Sequence, residues 1–566
     1  MKKAFLILVF SFILNNLFCQ LPYFQQQADF KIDVTLNDTL NTLDGYEEIV
    51  YTNHSPDTLS FIWFHLWPNA YKNDKTAFSE QLLQLGRTDF YFSDNDKRGY
   101  INQLDFKADG ITCELEDHPQ YLDVVKLILP FSLPPEDSIK ITTPFHEKLP
   151  YNFSRGGYVE KTYQVTQWYP KPAVYDSKGW HEMPYLDQGE FYSEFGNYSV
   201  NITLPEAYIV ASTGELQNQV ELKKYKDLAL AENERDSNHV AELSNLKKSN
   251  KSKTLSYVQE KVHDFAWFAD KNFIIRHDTL KLKSGKVIDA WSYCTPKGNA
   301  VWNNSVQYIK DAIRTRSAWL GEYPYNIASA VEAQMGFSGG MEYPTITSIS
   351  PMSSAKSLEN TIEHEVGHNW NYGILASNER DHPWMDEGMN SYFDERYSTL
   401  KFGNEKKEFA SIPFLQSRIP DNMDDIVYRT LLASRTDQAI ENRSADFSLL
   451  NYNEMAYYKT SKWMQLLEDS LGMEVFDSCL KVYYEKWKFK HPYPQDFKKV
   501  VAEVSGRDVD SIFALLYKRG PLKPNEKKSL KVVPFISLKQ TNKYNYIFLA
   551  SAAGINYYDK FMPGIV

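Results

Sequence analysis

The chain has 566 residues, with 62 Lys and Arg against 73 Asp and Glu and a formal net charge of −11. Hydrophobic residues make up 43% and charged residues 24%, which excludes a mostly disordered chain and leaves room for several domains at about one per 150 residues. An acidic chain without a basic tract also excludes nucleic acid and anionic membrane as natural partners. The chain begins MKKAFLILVFSFILNNLFCQ. Lys2 and Lys3 precede an apolar run from Ala4 to Leu14, which Asn15 and Asn16 end. This reads as a secretory signal peptide over residues 1–19, too short for a spanning helix. Cleavage after Cys19 leaves Gln20 first. Lipid anchoring at Cys19 is the alternative, disfavoured by bulky Leu17 and Phe18. The expected location is the periplasm, envelope or surroundings of a bacterium. No later run is long and apolar enough for a transmembrane helix.

Residues 20–262 read as an N-terminal β domain. Short alternating runs such as Phe30–Leu36, Glu47–Tyr51 and Tyr198–Leu204 are punctuated by Pro, Asn, Asp and Gly, the pattern of an antiparallel saddle or sandwich. Within it, the polar stretch Glu221–Lys253 predicts a solvated hairpin or exposed insertion, with helix around Leu228–Glu242. After Asp264 the strand-like IIRHDTLKL and VIDAWSYC precede a helical pattern over Asn299–Leu320, and helices dominate to about Phe513. An α+β domain is expected over residues 263–525. Residues 526–566 return to strand-like texture, as a docked strand pair or an incomplete module. Three cysteines follow the leader, Cys113, Cys294 and Cys479. They are far apart and odd in number, and read as buried small hydrophobes.

The chemistry is concentrated in HEVGH, residues 364–368. On a helix, His364 and His368 lie one turn apart, about 40° apart in projection, so both imidazoles can grip one Zn²⁺. Glu365 sits about 100° round from His364, beside the metal, where a general base must be to deprotonate the attacking water. Ile362, Val366 and Trp370 form an apolar stripe on the opposite face. Glu387 follows in HPWMDEGMNSYF, where Pro383 suits a first helical turn, and it projects from a second helix. His, His and Glu leave a fourth position open, as a catalytic site requires. Asp394 lies two turns along from Glu387 on nearly the same face. It reads either as a carboxylate holding a ligand imidazole or as a surface residue of FDER.

HEVGH-x18-E with WMDEG around the glutamate resembles the M1 family of zinc aminopeptidases, gluzincins with a thermolysin-like catalytic core. The resemblance covers roughly residues 25 to 520. It implies a multi-domain α+β chain, an N-terminal β saddle followed by a thermolysin-like domain with one zinc per chain. GGMEYPT, residues 339–345, stands where the family has G-x-M-E-N. There Glu342 would anchor the substrate's α-ammonium, and the backbone at Gly339 and Gly340 would hold the substrate main chain. Tyr343 replaces the family's Asn. YYKTSKWMQLLEDSLG resembles the family's Y-E-K-G helix, whose tyrosine donates to the oxyanion. That role falls on Tyr457, with Tyr452 and Tyr458 as rivals and Thr460 where Gly is usual. TQWYPKPAVYD, residues 166–176, is similar to the N-domain segment that sends a Gln to the active site, and makes Gln167 a second amine contact. Many members carry a helical C-terminal domain over the site. Only about forty residues remain here, which implies a more open cleft. The expected activity is removal of N-terminal residues from peptides with a free amine. The alternatives are a thermolysin-like endopeptidase, a hydrolase of another small molecule such as a lipid epoxide, and a secreted binding protein that kept the fold.

Overall fold

Alternation in the first strand sets the N-terminal architecture. In β1 (Gln27–Asn37), Phe30, Ile32, Val34 and Leu36 are buried, while Lys31, Asp33 and Thr35 are exposed. Each buried side chain contributes roughly 1.5–3 kcal/mol, and a one-residue slip would expose all four. That difference fixes the register. The computed structural model describes residues 23–234, 251–403, 423–523, 551–554 and 562–565. The expected leader at 1–19 and most of the tail from 526 lie outside the described residues.

β1 pairs antiparallel with β2 (Thr42–Thr52), which pairs with β3 (Ser138–Lys148). On its other edge β1 pairs in parallel with β4 (Gly196–Pro205), and β5 (Ser252–Val262) continues the sheet antiparallel to β4. Short strands complete nine in all. A four-stranded sheet built on Leu59–His65 and Val124–Leu133 shares its core: Ile62, Phe64 and Leu127 join Ile32 and Ile49 in one buried cluster. Trp267–Asp270 pairs with Thr162–Val165 and Ile209–Ser212. The strands of this β region therefore run to Asp270, beyond the expected boundary at 262.

The polar stretch is neither hairpin nor wholly solvated where it is described. Helix α1 (Gln219–Glu234) starts earlier than expected and buries Tyr225 and Ala229. The Tyr225 hydroxyl accepts from the Val210 amide at 2.8 Å. Three buried residues, Tyr225, Ala229 and Ala231, are too weak a signal to outweigh the surrounding charge.

The second region opens on a mixed five-stranded sheet. Its strands are β6 (Ile274–Lys281), β7 (Val287–Cys294), β8 (Ile327–Glu332), β9 (Gly340–Tyr343) and β10 (Ile346–Ile349), in spatial order β6-β7-β8-β10-β9. β9 is an edge strand, paired antiparallel with β10 only. Helix α2 (Ser305–Trp319) packs beside α3 (Ala355–Asn371), and α3 beside α4 (Glu387–Phe402). The Ser354 side chain caps α3 by accepting from the Ser357 amide. Tyr452–Lys459 forms a π-helix that runs into α5 (Thr460–Leu471). Gly388 lets α4 approach α5: a Cβ there would lie 2.2 Å from the Thr460 side chain. The three described cysteines are unpaired. Among the described residues no helix is long and apolar enough to cross a membrane.

Candidate active site

Helix α3 does what its sequence pattern requires. Ile362, Val366 and Trp370 are buried on one face, and His364 and His368 point the other way into a pocket of about 580 Å³. Glu387, in the first turn of α4, meets them. His364 Nε2 and His368 Nε2 lie 3.1 Å apart, and Glu387 Oε2 lies 3.2 Å from His368 Nε2 and 3.5 Å from His364 Nε2. Ligand atoms about 2.0–2.2 Å from a tetrahedral metal are separated by roughly 3.3–3.6 Å. Glu387 Oε2 is buried and has no hydrogen-bond partner. The donor set and spacing thus fit one Zn²⁺-like cation.

The other ring nitrogens are held from behind. His364 Nδ1 is 2.6 Å from Asp394 Oδ2, and His368 Nδ1 is 2.6 Å from Asp386 Oδ1. These contacts leave each Nε2 free for a metal. Arg316, fully buried on α2, donates to Asp394 at 2.8 Å and to Glu363 at 2.9 Å. Burial raises the Asp394 carboxyl but is outweighed by His364 and Arg316, and the group falls to about 2. For Glu387 the same opposition, burial against the two imidazoles, also ends well below the ordinary value. Both groups stay ionised. Asp386 adjoins Glu387 in WMDEG and was there to be found. Arg316 has no local signal, because it reaches the site across α2.

Glu365 is buried, and its Oε2 has no partner. Burial pushes its carboxyl up to about 7, against the pull of His364 and His368. Gly340 closes over it: a Cβ there would sit 2.4 Å from the Glu365 carboxyl. Glu342, on β9, lines the same pocket with Oε1 buried and unpartnered, 3.9 Å from His368 Nδ1. Gly339 and Gly340 both line the pocket, and the Gly339 backbone is bonded to Ser350. Its amide donates to Ser350 Oγ and its carbonyl accepts from the Ser350 amide, each at 2.9 Å. Gly339 has φ +127°, so it shapes the turn into β9.

Tyr457 lines the pocket and donates to Glu387 Oε1. Its rivals do not reach the ligands. The Tyr452 hydroxyl donates to Glu379 at 3.0 Å, and Tyr458 packs on Tyr428.

Gln167 does not line the pocket. It is buried, donates to Asp264 at 3.2 Å and accepts from the Tyr343 hydroxyl at 3.3 Å. It braces the loop beyond Glu342 from behind. The expected substrate contact is not seen: the Gln167 side chain is engaged by Asp264 and by Tyr343, the residue that stands where the family has Asn. The β region instead contributes Arg155 and Asp187–Glu190. Their segment, LDQGE, carries no motif, and only the tertiary fold delivers it.

Residues 322–515 match the profile described as the peptidase family M1 domain. Leucine aminopeptidase 2 of Aspergillus clavatus is 25% identical over 183 residues, 31% of this chain and 28% of that protein. Leucine aminopeptidase 2 of Coccidioides immitis is 24% identical over 227 residues, 38% and 35% respectively. The chain thus spans about a third of the length of these curated relatives. Among solved structures, an M1 zinc metallopeptidase from Deinococcus radiodurans matches with a TM-score of 0.56 at 13% identity, covering 88% of this chain and 95% of the other. Aminopeptidase A of Legionella pneumophila, in complex with aspartic acid, matches at 0.59 and 13%, covering 89% and 50%. At this identity the structural likeness speaks for the fold. Residues 322–515 thus match the peptidase family M1 domain, and the chain shares the fold of solved M1 zinc metallopeptidases, one of them described as two-domain.

Proposed function

We propose that the chain is a zinc-dependent aminopeptidase that removes N-terminal residues from peptides. One observation carries the reading: the buried, unpartnered carboxylate of Glu342 in the same pocket as the His364–His368–Glu387 set. A fixed carboxylate there binds a free α-ammonium and sets where the chain must end. An endopeptidase has no use for such an anchor.

His364, His368 and Glu387 would hold the zinc, which would supply Lewis-acid chemistry at the site. Glu365 takes the water's proton and passes it to the leaving amine, from a buried position in the pocket beside His364 and His368. Tyr457 swings its hydroxyl from Glu387 to the developing oxyanion. β9 offers its unpaired edge to the substrate backbone, and Gly340 keeps that edge close to Glu365. The two carboxylates behind the imidazoles keep the histidines in the tautomer that binds metal.

The test is one peptide series with the N-terminus free or acetylated. The free form should be shortened one residue at a time and the acetylated form left intact. Comparable internal cleavage of the acetylated form would replace this reading with an open endopeptidase cleft. Glu342→Ala should cost the free-amine substrates about 10²-fold in kcat/KM, equal to about 2.7 kcal/mol. Tyr457→Phe should lower kcat by about 10²-fold with zinc content unchanged, as for loss of one oxyanion donor. The leader at 1–19 supports export to a bacterial envelope or its surroundings. Mass spectrometry of the protein from its host should find Gln20 at the N-terminus; an intact Met1 would exclude it.

A further inference from the structure

The segment Leu186–Glu190 forms one wall of the pocket and is held from both regions of the chain. Gln81 Oε1 accepts from the amides of Asp187 and Gln188 at 2.7 and 3.0 Å. The Gln188 side chain donates to the carbonyls of Ser444 and Phe447. The Glu190 amide donates to Glu379 and its carbonyl accepts from Arg380, and Arg155 supplies a further anchor. Its Nη atoms donate to the Leu186 and Asp187 carbonyls, each at 3.0 Å, and its Nε donates to Glu190 Oε2 at 2.9 Å. A further Nη contact to Glu190 Oε1 makes the pair bidentate. Both side chains are over nine-tenths buried, yet both line the pocket, and the guanidinium stacks on Phe337 at 5.9 Å.

The charges of this wall cancel locally. Glu190 is closed by Arg155. Asp187 is closed by Arg87 at 3.1 Å and Ser154 at 2.6 Å. Glu342, on β9 rather than on this segment, keeps Oε1 without a hydrogen-bond partner, 3.9 Å from His368 Nδ1, and is reserved for the α-ammonium. A charged first side chain would find no free countercharge and would lose its water, at a cost that a neutral side chain avoids.

We propose that the Arg155–Glu190 ion pair determines specificity, giving the pocket a neutral wall that selects uncharged first residues. The inference rests on the aminopeptidase reading. Breaking the pair on either side should unmask one charge. The other anchors on the segment keep the wall in place.

The test compares leucine, arginine and glutamate p-nitroanilides with the full-length protein and two variants, R155Q and E190Q. The parent should favour leucine. R155Q leaves Glu190 bare, so arginine relative to leucine should rise at least tenfold in kcat/KM and glutamate should fall. E190Q leaves Arg155 bare, so glutamate relative to leucine should rise at least tenfold and arginine should fall. Ratios cancel any general loss of activity, and opposite shifts are something a purely structural pair would not produce. Parallel losses on all three substrates with zinc content intact would overturn the proposal. Should either single variant fail to fold, the neutral double variant R155Q/E190Q decides. It should keep the parent's leucine preference, and gain of a charged substrate there would overturn the proposal. A parent that cleaves none of the three would instead overturn the aminopeptidase reading, and this inference with it.

Discussion

Glu365→Gln should lower kcat by at least about 10³-fold, equal to about 4 kcal/mol of transition-state stabilisation, while zinc stays bound at one equivalent. The substitution keeps volume and one carbonyl oxygen. It removes the only property the mechanism uses, a site that accepts and returns a proton. The local geometry makes the prediction sharp. The Glu365 carboxyl has an unpartnered oxygen and is covered by Gly340, so Gln can occupy the same space without disturbing α3. The metal set does not include it. Zinc by elemental analysis and turnover of a free-amine peptide should therefore separate cleanly. Full turnover would remove Glu365 as the base. Loss of zinc in step with activity would mean that the residue supports the ligands instead.

How far the sequence reaches depends on how local each interaction is. The apolar stripe Ile362, Val366 and Trp370 already states which face of α3 packs into the core, so the pocket-facing pair His364 and His368 follows from helical geometry alone. Glu387 needs one further step, a second helix begun by Pro383. The β region is legible as alternation, strand by strand, but the parallel β1–β4 pairing joins residues 168 apart, Phe30 opposite Tyr198, and no local pattern records it. The π-helix at Tyr452–Lys459 is similarly hidden. The motif already points to Tyr457, but the π-helical turn that carries it against Glu387 has no mark in the sequence. Gln167 shows the opposite failure. Its motif is local and legible, yet Asp264 and Tyr343 engage its side chain. The wall that does reach the pocket comes from LDQGE, held by an arginine thirty-odd residues earlier in sequence, and that relation exists only in three dimensions.

Arg316→Met is the second large effect, and it falls on stability and metal affinity together. Arg316 is wholly buried and joins Glu363 to Asp394, with its guanidinium over the Phe393 ring at 5.0 Å. Methionine fills much of the volume but leaves two carboxyls without their cation. Removing one partner of a buried pair costs about 3–5 kcal/mol. Thermal unfolding should shift down by on the order of 10 °C. The consequence reaches the metal because Asp394 is held ionised partly by Arg316 and itself holds His364 Nδ1. With that support weakened, zinc affinity should fall about 10–100-fold. Asp394→Asn separates the two effects. It removes the negative charge behind His364 while leaving Arg316 paired with Glu363, so zinc affinity should drop with a smaller loss of Tm. Calorimetry and zinc titration on both variants read the difference. An unchanged Tm and normal zinc binding in Arg316→Met would mean that the buried guanidinium contributes nothing to the site. Equal losses of Tm in the two variants would place its contribution entirely on the Asp394 side.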